Sequence, residues 1–257
     1  MLVASNLRKE FSTPNGTVVA IGNISFEVTE GAFVSIVGPS GAGKTTLLRC
    51  LSGLETPTSG AVTLNGEMVD GPPDGLAVVF QDYTRSLLPW FSVQRNVAFA
   101  LEGRLPKNEI RQRVDEAVTA VGLAHAKDRL PWQLSGGMQQ RAAIARAIAY
   151  RPKILLMDEP FASVDAQTRI DLEDLTLKIQ RKYDMTVLFV THDIDESVYL
   201  SDEVLVLSSS PSTVSEVVPI DLPRDRDQYH TKEQPAYTEL RNKILHLVRG
   251  SKAEAVS

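Results

Sequence analysis

The stretch from residue 33 to 46, FVSIVGPSGAGKTT, constrains the fold more than any other. Gly38 to Thr46 fits GxxxxGK[ST] and lies between an apolar strand pattern and a helix beginning at Lys44, the context that pattern requires. The glycines let consecutive backbone N–H groups converge on phosphate oxygens, with Ser40, Gly41, Ala42 and Gly43 forming the cradle. Lys44 then meets the β- and γ-phosphates as a point charge, Thr45 offers its hydroxyl to Mg²⁺, and Thr46 continues the phosphate-facing first turn.

The rest of the chain supplies a matching scaffold. FVSIVG, LAVVFQ, ILLMDE, TVLFVT and EVLVLS are short, β-branched apolar runs bounded by turn or polar residues, as expected of parallel strands covered on both faces. Helical patterns alternate with them: Lys44 to Leu51 closed by Gly53, Asn108 to Val121 and Ala166 to Tyr183. The opening segments LVASNL, TVVAIGNISFEV and AVTL, with an Asn65-Gly66 turn, predict an antiparallel lobe. Residues 82 to about 133 hold helices but no good strand, and are expected to form an inserted helical lobe.

Composition limits the partners. With 27 Lys plus Arg against 32 Asp plus Glu, the net charge of −5 argues against a nucleic-acid partner held by phosphate neutralisation. No apolar run reaches the roughly 18 residues of a spanning helix, and MLVASNLRKEF lacks a secretory layout, so a cytosolic chain is expected. The single cysteine, Cys50, reads as a small core residue.

A nucleotide cradle needs a metal ligand and a group that orients water. Ile154 to Met157 ends in Asp158 and Glu159, at the strand tip that opens onto a ligand crevice. Asp158 is assigned to Mg²⁺ and Glu159 to general base. His192, in VTHD, is placed to touch the γ-phosphate; Gln81, ending LAVVFQ, is placed to contact both metal and helical lobe. Taken singly, each also fits a bland reading as a solvated strand exit or polar cap.

LSGGMQQR, residues 134 to 141, opens an alanine-rich helix with no chemically active side chain beside Ser135. A helix N-terminus gives an anion about 0.3 to 1 kcal/mol and each net hydrogen bond about 0.5 to 1.5, so Ser135, Gly136 and Gly137 offer about 3 kcal/mol together. Millimolar binding already requires about 4 kcal/mol. The cradle is too weak to capture a free nucleotide but strong enough to close over one held elsewhere. With one GxxxxGKT loop per chain, the expected solution is a twofold dimer sharing two ATP molecules. The competing reading of Ser135 is an ordinary helix N-cap.

GPSGAGKTT, Gln81, LSGGMQQR, ILLMDEP, ASVD and His192 occur in the order found in ATP-binding-cassette (ABC) transporter ATPases, a resemblance running from about Leu2 to Ser208. It implies a P-loop ABC ATPase with a RecA-like parallel core, an antiparallel β lobe and an inserted helical subdomain. It also implies an ATPase domain over residues 1–215 and a tail over 216–257, whose helix Tyr237 to Val248 packs back and leaves SKAEAVS frayed. Phe11 resembles the aromatic that stacks on adenine, with Val19 beside it, across the lengthened loop STPNG. Asp165 in ASVD, where SALD is commoner, takes the dimer-contacting position, and Met138 stands where glutamine is frequent.

GPPDGLAVVFQD, SLLPWFSVQRNVAFAL and LSSSPSTVSEVVPIDLPRDRD look like nitrate, sulfonate and taurine importer ATPases, although DYTRS adds polar residues before LLPW. The resemblance implies ATP and Mg²⁺, a second ATPase subunit, a transmembrane permease and, indirectly, an extracytoplasmic solute-binding protein, at the cytoplasmic face of the cell membrane. Leu87, Leu88, Trp90 and Phe91 read either as lobe core or as the groove that receives a permease helix. An exporter or lipid-extraction ATPase of the same superfamily is the alternative. A soluble repair or translation ATPase lacks support, having neither coiled-coil insertion nor second cassette here, and a nucleotide kinase leaves LSGGMQQR without a purpose.

Overall fold

The structure, a computed structural model, describes residues 1–14, 16–82 and 86–253, with side chains through residue 250. Backbone contacts divide the chain into two compact units, one made of Met1–Asp74 with Thr186–Ser257 and the other of Gly75–Met185.

In the first unit the strands are β1 (Leu2–Thr13), β2 (Gly16–Val28), β3 (Phe33–Val37), β4 (Ser59–Leu64), β5 (Glu67–Met68), β8 (Thr186–Val190), β9 (Glu203–Leu207) and β10 (Ser212–Pro219). They lie in the order β5-β4-β1-β2-β10-β9-β3-β8. The opening lobe is antiparallel as expected: Leu2 pairs with Val28 on one side and Leu64 on the other. Asn65 and Gly66 both take positive φ, 52° and 85°, giving the two-residue turn that places Leu64 opposite Glu67. β3 runs parallel to β8 and to β9, and every residue of β3 and β8 is buried. Phe33 and Phe189 meet across β3 and β8 with ring centroids 5.9 Å apart.

β10 is the element that the sequence concealed. Its alternating pattern STVSEVVP follows the turn-like SSSP and ends in proline, so it reads as a tail rather than a strand. It pairs antiparallel with β9 and parallel with β2, and so joins the antiparallel lobe to the parallel strands in one sheet. The boundary expected near residue 215 falls inside it. Helices α1 (Lys44–Leu51), α6 (Ile194–Leu200), α7 (His230–Glu233) and α8 (Pro235–Ala253) complete the unit. The expected tail helix is thus longer at both ends, and the last of the residues read as frayed, 254–257, lie outside the described ones.

The second unit holds the parallel pair β6 (Leu76–Val79) and β7 (Ile154–Asp158), with Leu76 opposite Ile154. Its helices are α2 (Val93–Phe99), α3 (Lys107–Ala120), α4 (Gly136–Ala149) and α5 (Ala166–Tyr183). No strand occurs among the described residues between 82 and 133, as expected of the lobe. α3 begins one residue earlier than predicted, directly after Pro106. In α4, Ala142, Ala143, Ala145, Ala147 and Ala149 are buried; alanine both favours the helix and lets neighbouring helices approach closely.

α1 ends in a Schellman turn, with Gly53 N–H donating to Cys50 O (3.1 Å) and Leu54 N–H to Arg49 O (3.0 Å). Gly53 has φ +70°, and a Cβ there would run into the Gly71 carbonyl; Gly66 also has positive φ but open space around it. Gly53→Ala is therefore expected to cost more than Gly66→Ala, the left-handed penalty of about 1–2 kcal/mol being common to both and the collision belonging to Gly53 alone. Equal shifts of the denaturant midpoint would contradict this.

Cys50 is 1% exposed, and burial pushes its thiol up from 9.0 to about 11. The stabilising neutral thiol is intact below pH 9 and is lost as pH rises through 11, because the thiolate is favoured by unfolding. Alkylation at pH 8 is expected only after denaturant is added; fast modification of the folded chain would refute the placement.

Candidate functional site

Gly43, φ 74°, is the N-cap of α1, which has no side-chain cap and no acidic residue in its first turn, so no carboxylate competes with an anion for its positive dipole end. Lys44 is 7% exposed, and its Nζ donates to Gly38 O (3.0 Å) and Pro39 O (3.1 Å), which fold the ammonium over its own loop. The glycines have separate duties. A Cβ on Gly38 would sit 3.0 Å from Leu207 O and one on Gly43 2.8 Å from Ala20 O, whereas Gly41, φ +81°, has open space above it. Ser40, Gly41 and Thr45 are exposed, Thr46 is half-buried, and Ala42 is packed beneath. N–H groups, a lysine and an exposed threonine around open space fit a magnesium-bound triphosphate.

His192 follows β8, the strand beside β3, so it and the cradle leave the carboxyl ends of neighbouring parallel strands. Its ring is exposed, while its neighbours are fixed: Thr191 Oγ1 donates to Glu196 Oε2 (2.5 Å), and Asp193 caps α6 by accepting from the N–H groups of Asp195 (2.9 Å) and Glu196 (3.3 Å).

Phe11 and Val19 stand on adjacent strands, Phe11 paired with Val18 and Glu10 with Val19. Phe11 is 37% exposed with Lys9 Nζ 5.0 Å from its ring centroid. The loop STPNG is shorter than it reads, since Ser12 pairs with Thr17 and Thr13 with Gly16; Asn15 lies outside the described residues.

The second unit gathers Gln81, Asp158 and Glu159 at the ends of β6 and β7. Asp158 is 4% exposed, and Gln81 Nε2 donates to Glu159 Oε2 (3.1 Å). Glu159 has φ 41°, a left-handed conformation that costs a non-glycine residue about 1–3 kcal/mol and is typical of functional positions. Sequence patterns gave no sign of this twist.

Ser135 is the N-cap of α4, its Oγ accepting from Met138 N (3.3 Å), and both Ser135 and Gly136 are exposed. The capping reading and the anion-cradle reading of Ser135 share one geometry. Gly137 has a distinct reason to lack a side chain: a Cβ would strike the methyl group of Thr168 on α5. Thr168 in turn donates its N–H (3.0 Å) and hydroxyl (2.6 Å) to Asp165, the cap of α5, and these bonds hold the Asp165 carboxyl below the usual carboxylate range. Thr168 went unnoticed in the sequence because its role is visible only across two helices. Gln140 is fully buried with neither amide atom hydrogen-bonded, a cost of about 1–3 kcal/mol.

Of the residues read as core or groove, Leu87 is buried at 2% exposure and Trp90 stands out at 69%. Leu88 and Phe91 are half-buried. Their loop is organised by buried Asn96, which accepts from Leu88 N (2.7 Å) and donates to the carbonyls of Leu88 (3.1 Å), Phe91 (2.9 Å) and Ser92 (3.1 Å). Of DYTRS, Tyr83, Thr84 and Arg85 lie outside the described residues.

Comparison with known proteins gives the family. The ABC transporter family profile matches residues 21–162. An uncharacterised ABC transporter ATP-binding protein of Methanocaldococcus jannaschii is 49% identical over 96% of this chain and 91% of its own. The nitrate import ATP-binding protein NrtD of Synechococcus elongatus is 44% identical over 92% and 87%. The bicarbonate transport ATP-binding protein CmpC of Synechocystis is 42% identical over 98% of this chain, which spans 38% of that longer protein. Among solved structures, a dimeric ATP-binding cassette in a post-hydrolysis state with ADP and Pi is 30% identical with a TM-score of 0.74, covering 86% of this chain and 99% of that one. CbiO1 of Clostridium perfringens, part of an ABC transporter complex, is 29% identical with a TM-score of 0.77, covering 99% and 98%. The chain belongs to the ABC transporter family, as one of its ATP-binding, ATP-hydrolysing cassettes.

Proposed function

We propose that this chain is the ATPase subunit of an importer for a small solute of the nitrate, bicarbonate, sulfonate or taurine kind, working as a homodimer under a transmembrane permease at the cytoplasmic membrane face. The observation that carries the dimer is the exposed start of α4: Ser135 and Gly136 present an anion-binding helix end with no acidic residue in its first turn. The likeness to cassettes of nitrate and bicarbonate systems supports the solute class. In line with membrane attachment through a partner, no helix among the described residues is long and apolar enough to cross a bilayer.

The roles rest on the chemistry of each residue and, for Phe11, Val19 and Asp165, on the likeness to ABC cassettes. Phe11 stacks on adenine with Val19 at its edge, and the loop from Ser40 to Thr46 wraps the phosphates, Lys44 turning from its loop carbonyls to the β- and γ-oxygens. Thr45, Asp158 and Gln81 would hold Mg²⁺, which neutralises charge on the phosphates. Glu159, oriented by Gln81, takes the proton of the attacking water, and His192 donates to the γ-phosphate. Ser135, Gly136 and Gly137 of the second copy close over the same phosphate, and Asp165 meets that copy at the seam. ATP binding joins the copies and hydrolysis releases them, and the helical lobes carry this movement to the permease.

The permease helix is assigned to the face bearing Trp90. The same lobe holds a cavity of about 460 Å³ between α2 and α3, lined by Arg95, Ala98, Ile110 and Val114 among others. An extracytoplasmic binding protein would deliver the solute, and its affinity for nitrate, bicarbonate and sulfonates would fix the cargo.

Glu159→Gln is expected to lower turnover by about 100-fold or more while prolonging the ATP-bound dimer, checked by steady-state phosphate release and size-exclusion chromatography. Unaltered hydrolysis removes Glu159 from its role. Turnover per chain of the wild type is expected to rise with protein concentration until the dimer saturates; full-speed hydrolysis by a verified monomer overturns the shared-site reading.

A further inference from the structure

α6 begins two residues after His192, and the C-terminal segment of the same unit grips it at both ends. At the first turn, Arg241 Nε on α8 donates to Asp195 Oδ1 (2.9 Å) and Oδ2 (3.0 Å). Tyr237, 3% exposed, donates its hydroxyl to the Asp195 carbonyl (3.1 Å) and to Oδ1 (3.2 Å). At the last turn, Arg226 Nη1 donates to Tyr199 O (2.8 Å), and Lys232 Nζ lies 5.0 Å over the Tyr199 ring. Ile244, fully buried, anchors α8 one turn further along.

These contacts are arranged for orientation rather than for strength. The Arg241 and Asp195 side chains are 43% and 44% exposed, and an ion pair of that exposure adds little to folding stability. Yet Asp195 is the residue whose N–H binds the capping carboxylate of Asp193, next to His192. The Arg241 Nε–H, shared between both carboxylate oxygens, and the buried Tyr237 phenol act on one side chain and hold the first turn of α6 against α8. His192 is the only exposed residue in the run from Thr191 to Leu200, and its backbone leads within two residues into this turn.

We propose that the C-terminal helix is a positioning clamp for His192, with Arg241 and Tyr237 acting through Asp195. This rests on the proposed role of His192 at the γ-phosphate. Arg241 and Tyr237 are positioning residues and touch no substrate.

The test is steady-state ATP hydrolysis by the full chain carrying Arg241→Ala, Arg241→Lys, Tyr237→Phe or His192→Ala, with melting temperature measured beside it. Arg241→Ala is expected to lower kcat about fivefold with KM for ATP and melting temperature unchanged, since misaimed chemistry, not binding or folding, is affected. Arg241→Lys, which keeps a cation and one donor, restores at least about half of the lost rate, and Tyr237→Phe gives a smaller loss in kcat of the same kind. Combining Asp195→Ala with Arg241→Ala is expected to cost no more than either alone, as for partners in one device. A wild-type kcat in Arg241→Ala beside an inactive His192→Ala overturns the clamp alone. Full activity in His192→Ala overturns the clamp together with the reading on which it rests. Multiplying losses in the double variant, or a fall in melting temperature that accounts for the rate, likewise overturn it.

Discussion

The first unit depends on two parallel strands buried on both faces. β3 and β8 carry only buried residues and register Phe33 to Val187 through Ile36 to Val190, so their carboxyl ends finish side by side. One end runs into the glycine loop and α1, the other into Thr191, His192 and α6. The apolar strands exclude water along their length, and the polar groups that the chemistry requires appear only where they stop. Ser35 and Thr186 are the exceptions, and both are satisfied: Ser35 accepts the hydroxyl of Ser201 at 2.5 Å, and Thr186 Oγ1 accepts from Gly31 N–H (2.9 Å).

Much of this was legible in the sequence because local chemistry and fold agree there. GPSGAGKTT combines a required backbone conformation with required side chains, and the apolar runs around it differ in length and flanks from helices. Asn65-Gly66 likewise demands a turn on its own. The helix Ala166–Tyr183 matches its expected bounds because Asp165 caps one end and Asp184, in left-handed conformation, stops the other.

What stayed hidden depends on distant partners. β10 is a strand because β9 and β2 lie on either side of it, and its own alternation of serine, valine and glutamate is too mild to declare that. The grip of Tyr237 and Arg241 on Asp195 spans more than forty positions and has no motif. Asn96 presents the same difficulty at short range: an asparagine within a seven-residue helix looks unremarkable until four backbone groups of the preceding loop are seen to converge on it. Backbone twists such as that at Glu159 leave no trace in composition at all.

The missing side chain at Gly137 has a mechanical consequence. Where α4 meets α5, the glycine lets the Thr168 methyl group nest against the helix backbone, and Thr168 also ties down Asp165. One threonine thus packs against the serine-glycine tip of α4 and bonds the aspartate that caps α5, so the two helix tips share a single side chain. Even one methyl group at position 137 would strike the Thr168 side chain and prise the two tips apart.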